Sequence, residues 1–385
     1  KSSIESILIP PSTTQICYNA FGFCDSLQKV EIPANSELKN IEASAFSNSG
    51  IKILSIPSSV SELDEGWCCD IKNLNDITIY QCKQQNIMYF DDKFILKKSN
   101  PLSDVYDILV FARRDIKTVI IPPFIKVISS YAFEYCTSIE KIEFSENSEL
   151  QEIGHYAFHC SSIENISFPP HLKRIGSNCF AYCIQLKIVD FSENSELVSI
   201  GSQTFKDTII ESISIPLHIT EICSKTFFCC KKLKKVEIPE NCKLQKIGES
   251  AFYFTSIEEV VFTHHLTLIQ EFAFRLCENL RKIVFGPSSS LLTIENDLFS
   301  SSTPLESISI PSSNIEFKEG WCSGLKNLTK VEIIPNGRQD IIYYDDKYIL
   351  KKSNPNSDLY DTLVFARRDI INATIPSFIT TIEPF

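Results

Sequence analysis

From residue 133 onward an aromatic side chain returns at intervals of 25, 22, 25, 22, 25, 22, 25 and 22 residues, at Phe133, Phe158, Phe180, Phe205, Phe227, Phe252, Phe274, Phe299 and Trp321. Phe21, Phe46 and Trp67 belong to the same series nearer the start. Two strictly alternating spacings mean that the true unit is a pair of repeats, 47 residues long. A segment of about 23 residues cannot bury an apolar side by itself, so neighbouring repeats must stack to make a core.

Ahead of each aromatic stands a short run of the form apolar-x-apolar, such as Val30-Glu31-Ile32, Ile142-Glu143-Phe144, Ile213-Ser214-Ile215 and Val236-Glu237-Ile238, and fifteen such runs can be counted. Period-two alternation over three residues is a half-buried strand whose middle residue faces outward. Proline closes many of these runs, at Pro33, Pro57, Pro122, Pro169, Pro216, Pro239 and Pro311. Lacking an N–H, it ends a ladder at a fixed place. An Ile-Gly pair follows (Ile153-Gly154, Ile175-Gly176, Ile200-Gly201, Ile247-Gly248), where glycine is expected to permit a tight reversal before the aromatic turn. The expected fold is an α/β repeat solenoid made mostly of short parallel β-strands, a right-handed superhelix whose fifteen strands form one continuous sheet.

Composition agrees with a packed body. The chain is 43% hydrophobic and 22% charged, far from the signature of disorder, and no apolar run approaches the length of a membrane span. A net charge of −11 repels phosphate backbones, which argues against a nucleic-acid partner. The strings that mark common catalytic and nucleotide sites are absent from the sequence, so neither an enzyme nor a cofactor is expected.

Fifteen cysteines follow the same grid: Cys136, Cys183, Cys230 and Cys277 lie 47 residues apart, each three places after the aromatic, and Cys24 stands likewise after Phe21. This is a column, read as unpaired thiols packed beneath successive turns, and it suits a reducing compartment. His155 and His159, beside Cys160, could share a face as metal ligands, but they flank an ordinary Ala-Phe turn. The pairs Asp91-Asp92 and Asp345-Asp346 read as solvated turns, since adjacent turn residues point apart and supply too few oxygens for calcium.

The strings IPPFIKVISSYAFEYCTSIEKIEF, residues 121–144, and FPPHLKRIGSNCFAYCIQLKIVDF, residues 168–191, resemble the BspA-like leucine-rich repeats found in trichomonads, other mucosal parasites and some bacteria. The resemblance runs the whole length of the chain. It implies a leucine-rich-repeat solenoid with a surface or adhesive role, hence a cell-surface or extracellular location. Sequons at Asn165, Asn327 and Asn372 would admit glycans on a secreted chain, whereas the many unpaired cysteines favour a cytoplasmic scaffold that spaces or docks other proteins. The chain departs from the pattern at Ser129, Cys223, Trp67 and Trp321.

One phrase falls outside the grid. Residues 91–116 and 345–370, 254 apart, are identical at 22 of 26 positions, and both follow a Glu-Gly-Trp-Cys repeat. The grid reads as a single continuous solenoid over residues 1–385, about 15 turns cut within a repeat at both ends, with insertions at 80–118 and 334–372. The same spacing places the next aromatic at 387, so the segment after Pro376 is expected to lack its neighbour. Each insertion reads as a small β-meander standing off the stack, and together they present basic side chains on an acidic protein. Arg113, Arg114, Arg367 and Arg368, with Lys97 and Lys351, are therefore candidates for contact with a protein partner or an anionic glycan. On the strand face, outward Lys and Glu columns largely cancel. The exception is the pair of rungs carrying Glu259, Val261, Lys282 and Val284.

Overall fold

The computed structural model describes residues 3–80, 86–286, 291, 293–295, 297–312, 315–318, 321–322, 324–335, 337 and 339–384. Two compact units divide the chain, Lys1–Glu196 and Leu197–Phe385. Each is a β-solenoid, and among the described residues there is no helix. The expected α component is therefore absent. The reason lies in where the turn backbone sends its hydrogen bonds.

In the first unit, the N–H groups of Tyr131, Phe133 and Tyr135 donate to the carbonyls of His155, Ala157 and His159 one coil further on, at 3.1, 2.7 and 2.9 Å. The intervening residues bond within the turn, as Glu134 N does to the Tyr131 carbonyl at 3.1 Å. A helix would close all these groups internally; here half of them are used sideways, coil to coil. The geometry needs a left-handed residue two places before and two after the aromatic, Tyr131 (φ 64°) and Tyr135 (φ 54°) around Phe133, Lys225 (φ 58°) and Cys229 (φ 59°) around Phe227. For side chains with a Cβ this costs roughly 1–2 kcal/mol per residue, which the lateral ladder must offset.

Glycine is placed for another reason. Gly154 does not adopt a left-handed conformation; a Cβ there would lie 2.4 Å from the Ser130 backbone nitrogen, and one on Gly176 would lie 2.5 Å from that of His155. The Ile-Gly pairs thus mark close coil-to-coil approach, which revises the tight-reversal reading. Gly154→Ala is expected to destabilise the first unit by about 1–3 kcal/mol, visible as a lowered thermal midpoint. An unchanged midpoint would mean that the coils can separate freely.

The strand column is segmented, contrary to the single continuous sheet expected. In the first unit Ser6–Leu8, Lys29–Glu31, Ile53–Ile56 and Asp76–Ile79 form one parallel run. Thr118–Ile121 with Lys141–Phe144, and Asn165–Phe168 with Ile188–Phe191, form two others. In the second unit six strands from Ser212–Ser214 to Lys330–Ile334 form one run. A second column of two-residue strands lines another side of each coil, including Asn40–Ile41 and Glu62–Leu63 in the first unit and Glu221–Ile222 and Lys246–Ile247 in the second.

Between the columns the aromatic rings stack as a spine. Phe133, Phe158 and Phe180 lie nearly parallel with centroids 4.8 and 5.1 Å apart, and Phe205, Phe227, Phe252 and Phe274 repeat this at 5.4–5.6 Å. The cysteine column is as read: Cys136, Cys183, Cys230 and Cys277 are buried and free. Cys183, Cys230 and Cys277 donate to the carbonyls of Phe158, Phe205 and Phe252, at 3.0–3.1 Å. Ser161, Thr208 and Thr255 fill the same slot in the alternate coils and touch those sulfurs at 3.3 Å. Thiol and hydroxyl thus alternate from coil to coil, in step with the paired repeat.

The repeated phrase does not simply stand off the stack. Ile87–Phe90, Phe94–Lys97 and Ile108–Ala112 pair antiparallel in chain order, and the third strand then pairs in parallel with Val127–Ile128, placing Leu109 beside Ile128. It thereby occupies a place in the two-residue column. The spine passes through it, with Phe111 5.8 Å from Trp67 and Phe94 6.1 Å from Phe133. In the second unit Ile341–Tyr344, Tyr348–Lys351 and Thr362–Ala366 repeat the arrangement, the last in parallel with Thr381–Ile382, and Phe365 lies 6.2 Å from Trp321. Residues 81–85, and Glu319 and Gly320 of the second Glu-Gly-Trp-Cys string, lie outside the described residues.

Candidate partner-binding face

The outward residues of the second unit's strand column form one polar surface with an apolar gap. Glu259 sits beside Lys282 and Val261 beside Val284 in register, and the Lys282 ammonium meets the Glu259 carboxylate at 2.7 Å. On the neighbouring rung Lys235 pairs with Glu237. Val261 is 51% exposed and Val284 half-buried. Val261 borders a shallow hollow with Ser214, Lys235, Glu237 and Glu259. All four residues singled out on this face are brought together.

In the first unit the same column exposes Leu8 and Ile120 by 64% and 62%. Neither was singled out from sequence. The signal was available: in Ile7-Leu8-Ile9 and Val119-Ile120-Ile121 the middle residue, which must face outward, is itself apolar.

The insertion arginines divide into two kinds. Arg114 is buried, 2% exposed, so the expectation that it faces solvent is corrected. Arg368, at the equivalent place in the second copy, is half-buried, with its guanidinium 5.2 Å over Phe365 and 3.8 Å from Cys322 Sγ. Arg113 and Arg367 lie at the surface but each makes a two-pronged bond to a carboxylate, Arg113 to Asp115 at 3.0 and 2.7 Å and Arg367 to Asp369 at 2.8 and 2.5 Å. Lys97 and Lys351 end the second strand of each insertion, half-buried. In the second unit Arg367, Asp369, Tyr343 and Asp346 line a hollow together with Lys330 and Glu332 of the strand column. The insertion therefore borders the strand face there.

The other candidates take their plain readings. Asp91 and Asp345 bind Lys93 and Lys347 of their own turns at 2.6 and 2.5 Å. His155 Nδ1 accepts the N–H of Ser177 at 3.0 Å, while His159 turns toward Glu134. Among the described residues no group of three or more His, Cys, Asp or Glu side chains is arranged to hold a metal ion, and no helix is long and apolar enough to cross a membrane.

Several solved structures are similar to this chain. A leucine-rich repeat protein from Bacteroides ovatus is 20% identical, over 82% of this chain and 83% of that one, with a TM-score of 0.53. A leucine rich cell surface protein from Faecalibacterium prausnitzii is 22% identical over 86% of this chain and 79% of that one, with a TM-score of 0.41. The pneumococcal vaccine antigen PcpA is 20% identical over 66% and 82%, with a TM-score of 0.32. No curated protein matches the sequence. The family described as BspA type leucine rich repeat region matches in six copies, over residues 1–108, 105–199 and 198–329. The lateral turn ladder, the aromatic spine and the short parallel strands are the physical content of that match, and the chain belongs to the BspA-type leucine-rich repeat family.

Proposed function

We propose that the chain is a non-enzymatic interaction protein of adhesin-like, cell-surface type, and that it takes a protein partner on the outward face of its strand column. The observation that carries this is the exposed apolar step at Val261 and Val284, framed by the Glu259–Lys282 ion pair and opening into the hollow beside Lys235 and Glu237. A small apolar centre within a ring of paired charges is the anatomy of a protein interface. In the second unit the insertion extends this surface, with Arg367 at its edge beside Lys330 and Glu332; Arg113, Lys97 and Lys351 are further proposed contacts on the insertions. An anionic glycan is the weaker partner, because Arg113 and Arg367 already hold carboxylates.

The test is binding of the labelled chain to immobilised extracellular-matrix proteins and, separately, to sulfated glycosaminoglycan. Saturable binding to a protein is expected, weakened roughly tenfold or more by Val261→Glu, the scale of a central interface residue. Binding that Val261→Glu leaves unchanged, or binding to glycosaminoglycan alone, would overturn the assignment.

An intracellular docking scaffold is the second reading, favoured by the free state of all fourteen described cysteines. Asn165, Asn327 and Asn372 are exposed, so glycan mass on protein from the native source would decide for the surface role and its absence for the scaffold.

A further inference from the structure

Where the first insertion interrupts the lateral turn ladder, the N–H of Asp70 meets a side chain instead of a carbonyl of the next coil. It donates to Glu134 Oε2 at 2.6 Å. Glu134 is thereby drawn inside, its side chain 1% exposed, and its other oxygen lies 3.3 Å from His159 Nδ1. The far nitrogen of that ring, Nε2, lies 3.9 Å from Cys160 Sγ. Glutamate, histidine and cysteine thus stand in line, ending in a half-buried cysteine.

The contacts of the ring favour its charged form. Burial works against that charge, but the contacts with Cys160 and Glu134 outweigh it and raise the His159 pKa to about 9. The other titratable neighbours come from four coils. Tyr135, on the preceding coil, and Tyr156 and Tyr182 set ring edges around the imidazole at 6.0, 5.3 and 5.6 Å. Asp70 and Cys69 lie beyond Glu134, the Lys72 ammonium sits 5.0 Å over the Tyr135 ring, and Cys183 lies on the far side of Cys160. Nε2 at 3.9 Å places a cationic imidazole against the Cys160 sulfur, the arrangement that makes a thiol nucleophilic.

We propose that Cys160 is a thiol-modification site that takes a small disulfide by exchange. The thiolate Sγ attacks one sulfur of the disulfide, a new S–S bond forms as the old one breaks, and the departing thiolate takes up a proton from His159 Nε2 or water. The products are a mixed disulfide on Cys160 and one free small thiol; the disulfide is the oxidant and no further reactant is required. The column cysteines are poor competitors, because burial pushes the thiols of Cys183 and Cys230 up to about 12 and their S–H groups are committed to carbonyls. This site stands apart from the strand face and does not depend on what that face binds.

Cys17 is exposed and serves as the reference within the same molecule. The folded chain is treated with hydroxyethyl disulfide, a neutral probe, at neutral pH, and the adduct at each cysteine is followed by peptide mass mapping. Cys160 is expected to react roughly tenfold or more faster than Cys17, despite being less exposed, because of its cationic neighbour. His159→Gln should remove that lead and leave the Cys17 rate unchanged. A lead of less than tenfold in the unaltered chain, or a lead that survives His159→Gln, would overturn the proposal. The first comparison needs no variant, so a folding defect cannot obscure it.

Discussion

Replacing Arg114 by alanine is expected to cost the first unit about 3–5 kcal/mol, the range for removing one partner from a buried charged network. The guanidinium ties three parts of the unit together. Nε donates to the Ile71 carbonyl at 3.3 Å, in the coil before the insertion. Nη1 donates to Ala112 at 3.3 Å and Ala132 at 2.8 Å, and Nη2 to Tyr131 at 3.3 Å, in the insertion and the coil after it. Its plane lies 4.5 Å over the Phe111 ring. Removing it leaves buried carbonyls without donors and a gap beside the aromatic spine.

Arg113→Ala is the control one residue away. Its guanidinium is 30% exposed and paired with Asp115, so its loss should cost under about 1 kcal/mol. Urea unfolding read by Trp67 fluorescence, in a Trp321→Phe background, separates the two. Equal shifts would contradict the burial of Arg114. Arg368→Ala should cost less than Arg114→Ala, because Arg368 is only half-buried.

Alternation alone could not have told these neighbours apart. In the strand Ile108–Ala112 the pairing with Phe94–Lys97 shifts between Leu109 and Phe111, so Val110 is an extra residue that reverses the in-and-out order before Arg113 and Arg114 are reached. The second copy carries the same shift at Val364, between Leu363 and Phe365. A bulge has no reliable signature in one sequence. What was legible was the repeat: the 25 and 22 spacing fixed the spine, and apolar-x-apolar runs fixed the strand column, because both record burial of specific side chains. The turn ladder was not legible, since left-handed Tyr131, Lys225 and Phe254 carry no glycine to announce it.

The repeated polar strings do internal work. Ser99 donates its N–H and hydroxyl to Asp107 at 2.9 and 2.7 Å, and Ser353 does the same to Asp361 at the same distances. Tyr89 and Tyr343 each donate to the carbonyl of the second turn aspartate at 2.9 Å. Lys98 and Lys352 lie 5.0 and 5.1 Å over Tyr106 and Tyr360. These repeated polar side chains thus find the same partners within their own insertion in each copy. In the second unit the insertion borders the strand face through Arg367 and Asp369.

Phe180→Ala is the second large expected loss, about 3–5 kcal/mol for a buried aromatic truncated to alanine. The ring is fully buried, 5.1 Å from Phe158 at 4° and 5.8 Å edge-on from Phe168. The cavity cannot close by collapse, because each coil is held at a fixed rise by lateral hydrogen bonds such as Phe158 N to the Cys179 carbonyl at 2.8 Å. Lys141→Ala, on an outward side chain 63% exposed, should stay within about 0.5 kcal/mol; similar melting shifts for the two would refute the division into spine and face. The location of the damage is the sharper test. Coils in a solenoid contact only their neighbours, so hydrogen exchange should quicken around Ala157 and Cys179 in Phe180→Ala while the strand Lys29–Glu31 keeps its protection. Even loss of protection throughout the first unit would show instead that its coils melt as one body.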